Sequence, residues 1–231
     1  TLEKVDINGR PGVRAQLTTP KGPVTVEAEK ALVAIGLIGN TEDLGIEQVG
    51  VTVERSFIQA SRDTYETSVP GIFAIGDVIG PPLLAHVASA EALVAVERMA
   101  GHDRPPLDYG QIPGCTYSHP QVASVGLTER KAREQGLDLK IGRFPFRASG
   151  KSLAQGETAG FVKLIYDARY GGLLGAHIIG SEATELIAEL GLGLHLETTG
   201  RDILDTVHAH PTLAEAVAEA TGDAFGEALN I

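Results

Sequence analysis

Twelve residues near the middle of the chain, HDRPPLDYGQIP (His102 to Pro113), contain three prolines. Proline lacks the backbone N–H that a helix or an inner strand needs, and its ring crowds the preceding residue out of the helical region. A regular element does not run through such a stretch, and a domain boundary is expected there. The stretch reads as a linker, and 231 residues are enough for two small domains joined by it. Apolar residues make up 43% of the chain, which is enough to bury substantial cores.

Ahead of the linker, VDINGRPGVRAQLTTPKGPVTVEAEKALVAIG reads as a β-meander with turns at Asn8-Gly9, Pro11-Gly12 and Lys21-Gly22. Its last six residues, Ala31 to Gly36, form a continuous apolar run. That suits a strand buried on both faces, as in a parallel sheet. Ile72 to Ile75 offers a second buried strand, stopping at Gly76-Asp77, and Ala85 to Ala100 a helix closed by Gly101. Beyond the linker the pattern changes. Strands in CTYSHPQVASVG, KIGRFPF and GFVKLIYDARYGGLLGAHIIG alternate with helices in TERKAREQG and SEATELIAELGLGLHLE. In the last of these Ala183, Ile187, Leu190 and Leu194 share one face. TGRDILDTV reads as a short helix, and the chain ends on a helix after Pro211. The first part is expected to be α/β and the second α+β.

Several functions are excluded at this level. A formal net charge of −11 is wrong for a nucleic-acid surface. No apolar run approaches a membrane span. The single cysteine, Cys115, permits neither an internal disulfide nor an all-cysteine metal site, and reads as a buried, inert thiol. No G-x-G-x-x-G and no P-loop occurs. The opening TLEKVDINGRPGVRAQL has no apolar signal core and reads as a strand and turn already inside a domain, so the true N-terminus is expected elsewhere.

Three places carry candidate chemistry. Asp77, at the carboxyl end of a buried strand, either stabilises its turn or accepts bonds from ligand hydroxyls. Gly36, at the end of ALVAIG, permits close approach of a ligand or of another strand. The third place is TVHAHPTLAEA, Thr206 to Ala216. Pro211 favours an extended backbone at His210. Thr212 can cap the following helix, with Glu215 completing a T-x-x-E capping box. That accounts for Thr212 and Glu215 but leaves His210 unexplained. A histidine just ahead of a helix, with a carboxylate one turn in, can form an imidazole–carboxylate pair and serve as a general base; a purely structural histidine is the alternative. His208, two residues earlier, makes a metal pair conceivable, but no third ligand stands at a clear spacing. The remaining histidines, His86, His102, His119, His177 and His195, read as loop, turn or core residues.

Taken together and in order, TSVPGIFAIGDV, LLAHVASAEA, YSHPQVASVGLTE, VKLIYD with LLGAHIIGSEATELIAE, and HAHPTLAEAVAEA resemble the C-terminal half of the dihydrolipoyl dehydrogenases. These belong to the flavoprotein pyridine nucleotide–disulfide reductases. The resemblance runs over essentially the whole chain, and HAHPTLAEA distinguishes it from glutathione reductases, which continue differently after HPT.

The resemblance implies that residues 1–66 end an NAD-binding domain, 67–111 form the FAD-domain return segment and linker, and 112–231 form an interface domain of a homodimer. It implies that Asp77 binds the ribityl chain of FAD and that Leu83, Leu84, Ala85 and His86 line the flavin. His210 and Glu215 would be the acid–base pair that deprotonates dihydrolipoamide, with electrons passing through a redox disulfide and FAD to NAD. The partner would be a lipoyl-bearing acyltransferase of a 2-oxo acid dehydrogenase complex, in the bacterial cytoplasm or, in a eukaryote, the mitochondrial matrix. The redox cysteine pair and both glycine-rich loops of the family are not in this sequence, so the chain alone is not expected to catalyse disulfide chemistry. Leu37 and Ile38 stand where the family often carries arginine. The alternatives are another disulfide reductase of the superfamily, acting on glutathione or a related disulfide, or a non-catalytic dimerisation module that binds an acyltransferase core.

Overall fold

The computed structural model describes residues 1–230. They form two units: Thr1–Ser61 with Tyr65–Ala95, and Arg62–Thr64 with the chain from Val96 onward.

The first unit begins with a three-stranded antiparallel meander, β1 (Leu2–Ile7), β2 (Arg10–Thr19) and β3 (Gly22–Ala28). Asn8 and Gly9 both have positive φ, 55° and 81°, as a two-residue turn that matches strand twist requires. The Asp6 carboxylate accepts the Gly9 N–H at 2.7 Å. Pro11-Gly12 is not a turn: it lies inside β2, where Asp6 pairs with Pro11 and Val5 with Gly12. Proline is tolerated there because β3 pairs with β2 only from Val13 onward, which leaves Pro11 at a sheet edge.

Ala31 to Gly36 is not a strand either. Leu32, Val33, Ile35, Leu37 and Ile38 are all exposed. A doubly buried strand needs neighbours on both edges and cover on both faces, and no described residue pairs with this run.

A short hairpin follows, β4 (Val53–Glu54) with β5 (Phe57–Ile58). Ile72 to Ile75 is extended but makes only single bridges, notably Phe73 with Glu66, so it too falls short of the expected strand. It runs into a tight turn over Gly76–Ile79, and the helix α1 (Ala85–Met99) then closes at Gly101, whose N–H bonds to Arg98 O and whose φ is +83°. No helix or strand runs from 101 to 108.

The second unit is a five-stranded, fully antiparallel sheet in the order β6-β7-β10-β9-β8. The strands are β6 (Gly114–Thr116), β7 (Gln121–Gly126), β8 (Leu139–Pro145), β9 (Phe161–Asp167) and β10 (Leu173–Gly180). Two of the three expected strand segments therefore each supply a hairpin. Short helices α2 (Glu129–Glu134) and α3 (Gly150–Gln155) lie in the connections. Helix α4 (Ala183–His195) packs on β7 and β10, and α6 (Glu215–Phe225) on β8 and β9. Between them lies α5 (Gly200–Asp205).

The core is the layer between sheet and helices. Val162, Leu164 and Tyr166 of β9 and Ala176 and Ile178 of β10 meet Ala183, Ile187, Leu190 and Leu194 of α4 and Ala216, Val217 and Ala220 of α6, all buried. The α4 face is the one its helical spacing predicts.

Two contacts fix how α6 lies on the sheet. A Cβ at Gly142 of β8 would run into the Ala220 carbonyl, so the helix backbone approaches the strand directly there. Tyr166 Oη donates to Thr221 Oγ1 at 2.8 Å, because the Thr221 hydroxyl itself donates to Val217 O. Burial pushes the Tyr166 phenol far above its ordinary pKa, keeping it a donor.

Candidate active site

The HAHPT segment sits between α5 and α6 in the second unit. The capping box forms at α5, where Thr199 accepts from the Asp202 N–H and Asp202 accepts in return. At α6 only half of the expected box forms. Glu215 Oε2 accepts the Thr212 N–H at 2.8 Å, but the Thr212 hydroxyl turns back and donates to Ala209 O at 2.6 Å. The helix begins only at Glu215, with Ala214 as its N-cap, so the T-x-x-E spacing closes the preceding loop rather than capping a helix.

That loop closure frees the other Glu215 oxygen for His210. Oε1 lies 2.8 Å from His210 Nδ1. The Thr212 N–H, then His210, hold the Glu215 carboxyl below its ordinary pKa, more strongly than partial burial raises it. An ionised carboxylate can only accept, so Nδ1 carries the hydrogen and Nε2 the lone pair. The His210 side chain is 77% exposed, and no hydrogen bond among the described residues engages Nε2. The arrangement is an oriented base: one nitrogen fixed by a carboxylate, the other open to a ligand. His208 is different. Its side chain is 8% exposed, and both nitrogens face oxygen acceptors, Nδ1 to Thr206 O at 3.0 Å and Nε2 to Glu189 Oε1 at 2.9 Å. Neither nitrogen is directed outward to complete a metal pair with His210.

The first unit carries a separate set of polar groups. Gly76, at φ +71°, starts the turn that presents Asp77, whose carboxylate is exposed. Two residues of α1 hold this turn from behind. Glu91, 1% exposed, accepts the Gly76 N–H at 2.6 Å, and Ala88 Cβ lies 3.1 Å from where a Gly76 side chain would begin. Leu83 and Leu84 are half-buried, while Ala85 and His86, in the first turn of α1, are exposed. A bare carboxylate beside the donor-rich first turn of a helix suits the hydroxyls and polar ring edge of a flavin. Gly36 lies in the exposed apolar run, with open space around its α-carbon.

Sequence reasoning had not singled out Glu91 or Glu189. A signal for the first exists: Glu91 interrupts the apolar stripe Val87, Glu91, Val94 at helical spacing, so its carboxylate must be buried with a partner. Glu189 gives no such signal, because its partner lies 19 residues away across a loop.

Comparison with known proteins identifies the fold. Residues 112–221 match the dimerisation domain of the pyridine nucleotide-disulphide oxidoreductases, and residues 1–92 match the pyridine nucleotide-disulphide oxidoreductase model. A dihydrolipoyl dehydrogenase from Rhizobium etli is 48% identical over 96% of this chain and 46% of its own length. One from Chlorobaculum tepidum is 50% identical over 93% of this chain and 46% of its own. Among solved structures, LpdA from Mycobacterium tuberculosis superposes with a TM-score of 0.84 at 25% identity, covering 94% of this chain and 46% of that one. The HOCl-induced flavoprotein disulfide reductase RclA from Escherichia coli shares the fold, with a TM-score of 0.85 at 21% identity over 96% of this chain and 49% of its own. The chain thus spans about half the length of the relatives it matches.

Proposed function

The chain belongs to the pyridine nucleotide-disulphide oxidoreductases, and from that premise we propose that it supplies the C-terminal half of a dihydrolipoyl dehydrogenase. The observation that carries the proposal is the His210–Glu215 pair, with Nδ1 anchored at 2.8 Å and Nε2 open. A dithiol is a poor nucleophile until it loses a proton. His210 Nε2 takes the proton from a thiol of dihydrolipoamide, and the Glu215 carboxylate stabilises the imidazolium that results. The thiolate so formed attacks a redox disulfide contributed by the part of the enzyme outside this sequence. Asp77 would accept from a hydroxyl of the FAD ribityl chain, and the Leu83–His86 segment would line the flavin. FAD and NAD supply the electron-transfer chemistry when bound; this chain supplies placement and the proton acceptor.

The same reading makes the region from residue 112 onward the interface of a homodimer, in which His210 serves the partner's disulfide. It makes a lipoyl-bearing acyltransferase the source of the dithiol, in the cytoplasm of a bacterium. The names of the relatives support dihydrolipoamide over glutathione as substrate. The full-length enzyme decides the matter: it should reduce NAD with dihydrolipoamide and show little turnover of glutathione disulfide with a reduced nicotinamide. The reverse preference would overturn the assignment.

A further inference from the structure

His208 has the less accessible ring of the pair and makes the side-chain bond that ties the HAHPT segment to α4. Four hydrogen bonds close the segment on itself: His208 Nδ1 with Thr206 O, Thr212 Oγ1 to Ala209 O, Thr212 N to Glu215, and His210 with Glu215. They fix the loop's internal shape, and the two that end on Glu215 hold its C-terminal side against the start of α6. The N-terminal side is tied to α4 by His208 Nε2 to Glu189 Oε1, at 2.9 Å. Helix α4 in turn is locked to the sheet by Ile187 and Leu190, which flank Glu189 and are buried.

Resting on the reading of His210 as the base, we infer that the His208–Glu189 pair is a positioning device that, from the α4 side and alongside Glu215 on α6, sets the location of His210 relative to the reacting thiol. His208 is not placed as an open base or ligand, because its side chain is only 8% exposed and its Nε2 faces the Glu189 carboxylate. It stands one residue from Ala209, whose carbonyl the Thr212 hydroxyl grips, so a displacement of the His208 ring is passed through Ala209 to His210. The neighbouring Val207 is 95% exposed, so apolar packing holds the loop only at its far end, through buried Leu213, and not beside His208. Proton transfer is sensitive to such displacement, because acceptor and donor must come within hydrogen-bond distance.

The test uses the full-length holoenzyme and two reactions: dihydrolipoamide oxidation, which needs the base, and NADH oxidation by an artificial acceptor, which does not. His208→Leu should lower kcat for dihydrolipoamide about tenfold, as expected for losing a charge-assisted hydrogen bond, with the KM for NAD and the artificial-acceptor rate unchanged. His208→Gln, whose amide nitrogen can reach toward Glu189 in place of Nε2, should recover most of the loss. Glu189→Ala attacks the same bond from its half-exposed end and should reproduce the defect even if His208→Leu folds poorly. The two effects should also be non-additive: in a His210→Gln background, His208→Leu should cost less than about twofold more, because there is no base left to misplace.

A parental rate in His208→Leu and Glu189→Ala, an equal loss in the His210→Gln background, or a parallel fall in both reactions would each overturn the inference while leaving His210 as the base. A parental rate in His210→Gln alone would remove the base and, with it, the device that serves it.

Discussion

Replacing His210 with glutamine separates proton transfer from architecture. The glutamine amide can still donate toward Glu215, so the loop keeps its closure, but it cannot accept a proton near neutral pH. A positioned acid–base group contributes about 10²–10⁴-fold, so dihydrolipoamide oxidation by the full-length enzyme should fall by that factor. The fall corresponds to about 3–5 kcal/mol of barrier. The folding cost is on another scale. The His210 side chain is 77% exposed and its Glu215 partner 32%. An exposed ion pair contributes about 0–1 kcal/mol, and a domain of this size shifts by about 2–4 °C per kcal/mol. The variant should therefore melt within a few degrees of the parent, keep its flavin and oxidise NADH with an artificial acceptor at the parental rate. Measuring the two activities side by side, with the melting temperature, gives the answer. Normal dithiol oxidation in a stable His210→Gln dimer would refute proton transfer. A joint loss of both activities with a large drop in melting temperature would show that the histidine is structural.

The other predictions use the same full-length protein. Asp77→Ala should loosen FAD, since leaving a ribityl hydroxyl without its acceptor costs about 1–3 kcal/mol; flavin retained in full after dialysis would dismiss Asp77 as a ligand. Glu215→Gln should slow dithiol oxidation less than His210→Gln does. It should also change the acid profile. The carboxyl of Glu215 is held below its ordinary pKa, chiefly by the Thr212 N–H, so its stabilising contribution is complete above the unfolded-state value and disappears as pH falls through the folded one. The parent should thus exceed the variant in unfolding free energy at neutral pH, and the advantage should shrink as the solution is acidified below the ordinary carboxylate range; an advantage that does not change on acidification would contradict this. Tyr166→Phe removes a buried hydrogen bond, but Thr221 keeps its own bond to Val217 O. It should cost about 0.5–1.5 kcal/mol, read from denaturant unfolding, and a neutral result would mean that the bond does not tie α6 to the sheet.

What the sequence disclosed and what it withheld divide along one physical line. Local periodicity was legible: Ala183, Ile187, Leu190 and Leu194 are spaced for one helical face, and all four are buried. Asn8-Gly9 announced its turn because few other residue pairs tolerate two positive φ values in succession. The imidazole–carboxylate pair was legible because His210 and Glu215 are only five residues apart. Features that depend on a distant partner were not. ALVAIG carries the composition of a buried strand, but composition does not say which strand lies alongside. The T-x-x-E spacing suggested a cap at Thr212, yet the competing acceptor, Ala209 O, captured the hydroxyl and moved the helix start to Glu215. Pro11-Gly12 has turn chemistry but sits in a strand, because the neighbouring strand is too short to contest it. Glu189 and Glu91 each acquire their meaning from a group 15 or more residues away.

The apolar run from Ala31 to Ile38 has a practical consequence for handling this polypeptide. Leu32 and Ile35 are more than nine-tenths exposed, Val33, Leu37 and Ile38 well over half, and the segment carries no charge and no proline. Short uncharged β-formers of this kind template cross-β stacking when their edges stay unpaired. Acidic residues outnumber the one basic residue beside it, Glu27 and Glu29 with Lys30 on one side and Glu42 and Asp43 on the other, and like charges brought into register between stacked copies repel one another. Colloidal behaviour of the isolated chain should accordingly depend on salt and pH. Screening or protonating those flanks would let the copies stack, and a single lysine in place of Val33 or Ile35 would keep them apart.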